Sequence, residues 1–190
     1  MLRRIKGEIR VLGIDDSPFD KANDRSVTII GVFFRGGHFM DGVLSTKAEV
    51  DGSDSTKRIA EMVCRSKFYT QIQCIMLDGI AVGGFNIIDI NKLSNETGIP
   101  VIVITRDNPD LKRIKQVLKR LKMDEKIALL EKAGPIIRIG KIHAQLSNID
   151  EETARRIIEV TATRSHIPEP IRVAHLMASG LVLGESRGKV

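Results

Sequence analysis

The most constraining feature of this sequence is a short, mostly apolar run, Ile72–Leu77, that ends in Asp78 and Gly79. Such a run is typical of a strand that is buried on both faces of a parallel sheet. Ligands of open α/β sheets collect at the carboxyl ends of these strands, which places Asp78 at the expected functional edge. Gly79 lets the backbone approach a ligand closely, because glycine has no Cβ atom. An Asp in this position can equally be a turn residue or a helix N-cap.

The first part of the chain predicts three strands and no helix, because β-branched and aromatic residues are concentrated there between turn residues. The first strand ends in Asp15 and Asp16, and Gly36-Gly37 provides a tight reversal between the second and the third. The three strands are therefore expected to form an antiparallel meander. Their predicted ranges are Ile9–Ile14, Ser26–Arg35 and His38–Thr46.

After residue 50 the apolar residues change to helical spacing, and helices alternate with strands. Val101–Ile104 is a second fully apolar strand, and a short edge hairpin is predicted over 136–146. One helix is strongly basic, which is typical of a solvated helix face. The predicted helices are Ser55–Lys67, Ile87–Glu96, Pro109–Met123, Asp124–Lys132, Glu151–Thr163 and a last helix that begins at Pro168-Glu169-Pro170.

This order of elements is that of a ribonuclease H-like α/β fold, a mixed sheet with three antiparallel strands followed by parallel strands joined by helices. In that fold the first and fourth strands lie side by side and parallel. Asp15 and Asp78 should then emerge next to each other at the same end of the sheet. Residues 1–190 are expected to form one domain, since the apolar content is ample for a core.

Two carboxylates at neighbouring strand ends repel each other, and a hard divalent cation is the usual resolution. Asp54 is the natural third ligand, because it opens the helix that should pack across these strands. It is also an ordinary candidate for the N-cap of that helix. Asp51 and Asp16 are alternatives for the third position. No Cys/His cluster suggests zinc, so the sequence favours Mg²⁺ or Mn²⁺.

The composition restricts the partners and the compartment. A formal net charge of +6 permits a polyanionic partner without requiring one. Two cysteines are too few for a disulfide framework, and the basic N-terminus lacks the apolar stretch of a signal peptide. No apolar run is long enough to span a bilayer. A cytoplasmic protein with reduced thiols and no membrane partner is therefore expected, of an oligomeric state that the sequence leaves open.

The segment Arg164–His175 resembles the C-terminal signature of endonuclease V, which has Pro-Glu-Pro, an Arg two residues later, and an Ala followed by Asp or His. Gly13-Ile14-Asp15 and Leu77-Asp78-Gly79 resemble its two strand-end Asp motifs. Over nearly its full length the chain is identified as a member of the related archaeal endonuclease dU family. The further motifs that resemble this family are Asp15–Phe19, Asp51–Asp54, Gly83–Asn86 and Gly184–Gly188.

The resemblance implies a metal-dependent endonuclease that nicks DNA at or near deaminated bases, deoxyuridine above all, without removing the base. Arg106 falls where endonuclease V has a Lys after its fifth strand. Two alternatives remain open: a non-catalytic nucleic-acid-binding protein on the same fold, and an endonuclease directed to inosine or RNA. The implied catalytic residues are Asp15, Asp54, Asp78 and His175, with the three aspartates as metal ligands, and the implied nucleic-acid contacts are Gly79, Arg106 and Arg172.

The chain also departs from endonuclease V in two places. It has no Tyr-Ile-Pro-Gly wedge before the central strand, where Lys67-Phe68-Tyr69 is the closest aromatic stretch. The His-Pro-Arg that follows the Asp-Gly of endonuclease V is replaced by Val82–Phe85.

Overall fold

The computed structural model describes residues 7–187, so Met1–Lys6 and Gly188 of the last sequence motif lie outside the described residues. The strands are β1 (Arg10–Asp16), β2 (Ser26–Arg35), β3 (Phe39–Glu49), β4 (Cys74–Asp78), β5 (Ala81–Val82), β6 (Asn86–Ile87), β7 (Val101–Thr105), β8 (Ile137–Ile139) and β9 (Ile142–Ser147). The helices are α1 (Ser55–Cys64), α2 (Ile90–Thr97), α3 (Leu111–Arg120), α4 (Asp124–Lys132), α5 (Glu151–Thr161) and α6 (Glu169–Leu183). None of these helices is long and apolar enough to cross a membrane.

The predicted mixed sheet is confirmed. Seven strands pair in the order β3-β2-β1-β4-β7-β9-β8. The first three strands are antiparallel, whereas β1, β4 and β7 run parallel to one another and β9 is antiparallel to β7. Ile14 of β1 pairs with Leu77 of β4, so the next residues, Asp15 and Asp78, are neighbours at the carboxyl ends of these strands.

Helices cover both faces of the sheet, which explains why its central strands are apolar throughout. One face, which includes Leu12, Ile14 and Leu77, packs against α1 and α2. On the other face, Val11 and Met76 join the core that includes residues of α5 and α6. Burial of each large apolar side chain stabilises the fold by about 1.5–3 kcal/mol.

The start of α2 corrects the sequence prediction. The helix begins at Ile90 and not at Ile87, because Asn86–Ile87 pairs with Ala81–Val82 in a small antiparallel hairpin. Asp89 fixes the later start, since its side chain accepts a hydrogen bond from the backbone N–H of Lys92. The predicted ends of α1, α3 and α5 also extend two or three residues too far, to Lys67, Met123 and Thr163.

Helix α6 crosses β1 at very short range, and this crossing positions the candidate site. A Cβ atom at Gly13 would clash with the backbone carbonyl group of Pro170, so only glycine fits at this point of β1. The helix then runs across β1 and β2 and brings His175 over the end of β1. The glycine at position 13 thus allows α6 to cross β1 closely, and this crossing places His175 beside the end of β1.

Candidate functional site

Three side chains converge at the carboxyl ends of β1 and β4. Asp15, Asp78 and His175 each offer a ligand atom, and these atoms lie within 4.8 Å of one another. The alternation of side chains along each strand explains the arrangement. Ile14 and Leu77 face α1 and α2, so the residues that follow them face α6, which supplies His175. The structure therefore brings together three of the four predicted catalytic residues.

Asp15 and His175 form the closest contact in this group. Nδ1 of His175 lies 2.8 Å from Oδ2 of Asp15, and Oδ1 of Asp15 accepts a hydrogen bond of 2.8 Å from the backbone N–H of Asp16. Nε2 of His175 is buried and has no hydrogen-bond partner among the described residues. A buried polar atom without a partner destabilises a fold, so a ligand at this nitrogen would remove a cost.

The two carboxyl groups at the strand ends have strongly perturbed acidities. Burial, followed by the nearby charges of Asp78 and Asp16, raises the pKa of Asp15 to about 8. Burial also raises the pKa of Asp78, although His175 and Arg106 act in the opposite direction. Both groups thus hold protons more tightly than exposed carboxyl groups do, because their ionised forms are poorly solvated.

This donor set fits a divalent cation. Two carboxylates that are buried side by side gain most from a positive charge between them, and oxygen ligands suit Mg²⁺ and Mn²⁺. The imidazole of His175 adds a ring nitrogen, Nε2, that has no partner among the described residues. The described ligands are three, which leaves further coordination positions for water and substrate oxygens.

The acidity of Asp15 predicts how the metal-free protein responds to pH. The folded state keeps this carboxyl protonated up to a pH of about 8, whereas the unfolded chain releases the proton near the ordinary value of 3.8. The folded state therefore binds more protons between these values, and the free energy of unfolding should fall as pH rises through this window. Stabilisation by Mg²⁺ or Mn²⁺ should grow over the same window, since the cation binds the ionised acids.

Melting temperatures measured between about pH 5 and about pH 8, with and without Mg²⁺, test this expectation. The Asp78→Asn variant is the matched control, because it removes one of the two charges and should flatten both trends. Stabilisation by Mg²⁺ that is independent of pH, or equal in the variant, would contradict the assignment. The lowered pKa of groups such as Asp54 affects stability only at more acidic pH.

Asp54 is not brought into this group, contrary to the expectation that it supplies the third carboxylate. Its Oδ1 accepts hydrogen bonds from the backbone N–H of Glu49 (3.0 Å) and from Nδ2 of Asn86 (2.8 Å). Its Oδ2 accepts one from Nε of Arg58 at 3.1 Å. Asp54 occupies the N-cap position of α1, but its side chain makes no capping bond. Its carboxylate thus ties β3 to α1 and β6.

The alternative third ligands, Asp16 and Asp51, serve the β5–β6 hairpin. Asp16 points to the opposite side of β1 from Asp15, and its Oδ2 accepts a hydrogen bond of 2.8 Å from the N–H of Gly83. Oδ1 of Asp51 accepts one of 2.8 Å from the N–H of Phe85. Asp51 fills the space beside Gly84, where a Cβ atom would clash with it. The hairpin is thereby fixed at the end of β1.

Two residues to which the sequence analysis gave no individual role complete this framework. Asn86 is fully buried, and its side chain donates to the carbonyl of Glu49 and accepts from the N–H of Ser55. Lys126 of α4 is also buried, and its Nζ donates to the carbonyl oxygens of Asp51 (2.6 Å) and Gly52 (2.9 Å). Neither residue has a periodic signal in the sequence. A lysine in a charged helix usually faces solvent, so nothing in the sequence indicates a buried Lys126.

The predicted nucleic-acid contacts lie around the acidic group. Gly79 follows β4 with φ +80, and a Cβ atom there would meet nothing within 4 Å. Arg106 follows β7 and is exposed, and its charge acts on both Asp15 and Asp78. Arg172 lies three residues before His175 on α6. The open space at Gly79 and the charge of Arg106 therefore adjoin the two acids.

Arg172 is held by a carboxylate from its own helix. Its Nε and Nη2 donate to Oε2 of Glu169 at 2.9 and 2.6 Å. Glu169 is buried, with only 3% of its surface exposed, whereas 26% of the Arg172 side chain is accessible. The Pro-Glu-Pro segment thus orients a partly exposed guanidinium one turn before His175.

The aromatic stretch nearest to the wedge of endonuclease V has a structural role here. Phe68 stacks on Phe33 with ring centroids 4.6 Å apart. The hydroxyl of Tyr69 donates to the carbonyl of Thr97 at 2.9 Å. Both rings support the packing of α1 and α2 on the sheet.

Comparison with known proteins relates this architecture to two groups. The family described as endonuclease dU matches residues 7–182. A UPF0215 protein of Methanothermobacter thermautotrophicus is 49% identical over 98% of this chain and 94% of its own length. A second UPF0215 protein, from Archaeoglobus fulgidus, is 41% identical over 95% of this chain and 97% of its own length.

Solved structures share the fold at lower sequence identity. A protein of unknown function from A. fulgidus superposes with a TM-score of 0.85 at 39% identity, over 91% of this chain and 98% of that one. Endonuclease V of Bacillus subtilis gives a TM-score of 0.61 at 12% identity, over 90% and 79% of the two chains. Ciona intestinalis endonuclease V, in complex with DNA that contains an inosine followed by a ribo-adenosine, gives 0.55 at 18% identity, over 87% and 82%.

Proposed function

Because this chain belongs to the endonuclease dU family, we propose that it is a divalent-metal-dependent endonuclease that nicks DNA at or near deaminated bases, with deoxyuridine as the favoured lesion. The observation on which the proposal rests is the convergence of Asp15, Asp78 and His175 at the carboxyl ends of two parallel strands. Acids that face each other in this way have no use in a simple phosphate-binding surface, since they repel phosphate.

Each residue of the group has a distinct task in this proposal. Asp15 and Asp78 hold the cation, and His175 completes the site through an imidazole that Asp15 keeps oriented. A divalent cation held there would supply charge neutralisation at the scissile phosphate and would lower the pKa of an attacking water. The protein itself contributes a fixed, largely buried frame for these ligands, which costs no rearrangement when substrate arrives.

The surrounding cations position the strand. Arg106 and the Glu169-bound Arg172 contact backbone phosphates, which orients the strand without reading its sequence. Gly79 leaves open space beside Asp78 for the nucleotide next to the scissile bond. A deaminated base is weakly paired, so bringing it out of the duplex costs less than extruding a normal base.

Cleavage of end-labelled oligonucleotides tests the proposal. Strands with one deoxyuridine, one deoxyinosine or no lesion are incubated with Mg²⁺, Mn²⁺ or EDTA, beside RNA strands of matched sequence. A metal-dependent nick at or near deoxyuridine, with an intact base in the product, is the expected result. Stronger cleavage of the deoxyinosine or RNA strands would show that this substrate, and not deoxyuridine-containing DNA, is the favoured one. Salt-sensitive binding without cleavage of any strand would support the non-catalytic alternative.

The position of Asp54 gives a discriminating prediction. Because its carboxylate bonds to Glu49, Asn86 and Arg58, Asp54→Asn is expected to retain cleavage within about tenfold of the parent while it loses about 1 kcal/mol of stability. Initial nicking rates at saturating Mg²⁺, with chemical denaturation in parallel, measure both effects. A loss of cleavage as severe as that of Asp78→Asn, with an intact fold, would make Asp54 a member of the site.

A further inference from the structure

The loop after β1 presents an aromatic ring that the core does not use. Phe19 is half-buried, and it belongs to none of the four apolar clusters formed by the described residues. Two other phenylalanines, Phe33 and Phe34, are buried in β2, and Phe68 packs against Phe33. A phenylalanine usually stabilises a fold through the large apolar area that it buries. Phe19 lies outside the apolar clusters and close to the candidate site, which favours a role in binding.

This ring lies at the tip of the β5–β6 hairpin. A Cβ atom on Gly84 would be 3.7 Å from Cζ of Phe19, so the ring and the hairpin backbone are in near contact. Gly84 itself is exposed, and Phe85 beside it is half-buried. Asp16 attaches the same hairpin to the end of β1 through the N–H of Gly83. The hairpin that the ring approaches is therefore attached to the end of β1, one residue beyond Asp15 and on the side of the strand to which Asp16 points.

A lysine extends this surface. Nζ of Lys21 lies 5.2 Å from the centroid of the Phe85 ring and 2.8 Å from Oδ2 of Asp51. Its side chain is 59% exposed. An aromatic face with an adjacent cation is the combination by which proteins bind single-stranded nucleic acids, since bases stack on the ring while the cation attracts the backbone.

We propose that Phe19, together with Phe85 and Lys21, forms a stacking surface for an unpaired base of the strand whose phosphate lies at Asp15 and Asp78. The inference rests on the proposed function and names one contact within it. Phe19 follows Asp15 by four residues, so their Cα atoms are at most roughly 14 Å apart. At about 3.4 Å per stacked nucleotide, the stacked base lies within about four nucleotides of the scissile phosphate.

Binding without cleavage isolates this contact. The affinity of a fluorescently labelled single strand is measured by anisotropy in EDTA, where the proposed chemistry cannot proceed. Phe19→Ala is expected to weaken binding roughly 5- to 150-fold, the range for loss of one base–aromatic stack, and Phe19→Trp should retain the parent affinity. The decisive measurement uses strands that carry an abasic site at successive positions. When the missing base is the one that stacks on Phe19, the parent and Phe19→Ala should bind the strand with equal affinity.

Phe39 provides the matched control. It is also a phenylalanine with 54% of its surface exposed, but it pairs with Arg35 opposite the start of β1, at the other end of the sheet. Phe39→Ala should leave binding unchanged. Equal affinity of the parent and Phe19→Ala for every strand would overturn the stacking surface while leaving nuclease function untouched. Conversely, the parent could cleave no strand while Phe19→Ala still binds more weakly than the parent. That result would reject the endonuclease activity and leave the stacking surface in place.

Discussion

Replacement of Asp78 by asparagine is expected to reduce metal-dependent nicking by at least about a hundredfold, because loss even of an outer-shell partner of a metal commonly costs 10- to 100-fold. Asparagine keeps the size of the side chain but removes one of the two charges that face each other at the strand ends. At about pH 8, where Asp15 begins to ionise beside residue 78, the metal-free variant should therefore melt at a higher temperature than the parent. Nicking rates and melting temperatures of the same preparations measure both effects.

Asp107→Asn is the control for the Asp78 variant. This residue is an exposed aspartate after the end of β7, outside the group formed by Asp15, Asp78 and His175. It should leave nicking and Mg²⁺ stabilisation close to those of the parent. A normal nicking rate in Asp78→Asn would exclude Asp78 from the reaction. A lower melting temperature without metal would show that the charge repulsion at the site has been misjudged.

The second large effect is expected at Gly13. A methyl group at this position would clash with the backbone of Pro170, and rotation of a side chain cannot relieve a clash with backbone. Gly13→Ala should therefore cost about 3 kcal/mol, at the upper end for overpacking of a core. Displacement of α6 would also move His175 away from Asp15, so nicking should fall together with stability.

Gly7→Ala is the matched control, since a Cβ atom at Gly7 would meet nothing within 4 Å. It should change the free energy of unfolding by less than about 1 kcal/mol. Urea denaturation of both variants, with nicking rates below the transition, measures the two effects. A Gly13→Ala protein as stable as Gly7→Ala would mean that α6 can shift away from β1 at little cost.

The sequence predicts the sheet and the pair of acids well, because both depend on local patterns. Apolar runs locate β4 and β7, and parallel pairing of β1 with β4 follows from the order of elements. Asp15 and Asp78 are then neighbours by register alone. His175 could be associated with them only through a resemblance, since its placement depends on where α6 crosses β1.

The surroundings of the site could not be predicted in the same way. The sequence favours Asp54 over Asp16 and Asp51 as the third ligand, and only the tertiary contacts show that all three carboxylates bind backbone N–H groups outside the site. The hairpin of β5 and β6 is two residues per strand, which is too short to give a periodic signal. The ammonium group of Lys126 is buried because two backbone carbonyls from a distant loop accept its hydrogen bonds.

The central claim is that Asp15, Asp78 and His175 form one divalent-cation site. Crystals grown at about pH 8 and soaked in Mn²⁺ allow the cation to be located by anomalous scattering, in the parent and in Asp78→Asn. We expect a peak bounded by Asp15, Asp78 and His175 in the parent that is lost or strongly weakened in the variant. A peak elsewhere, or one of equal strength in both proteins, would contradict the account.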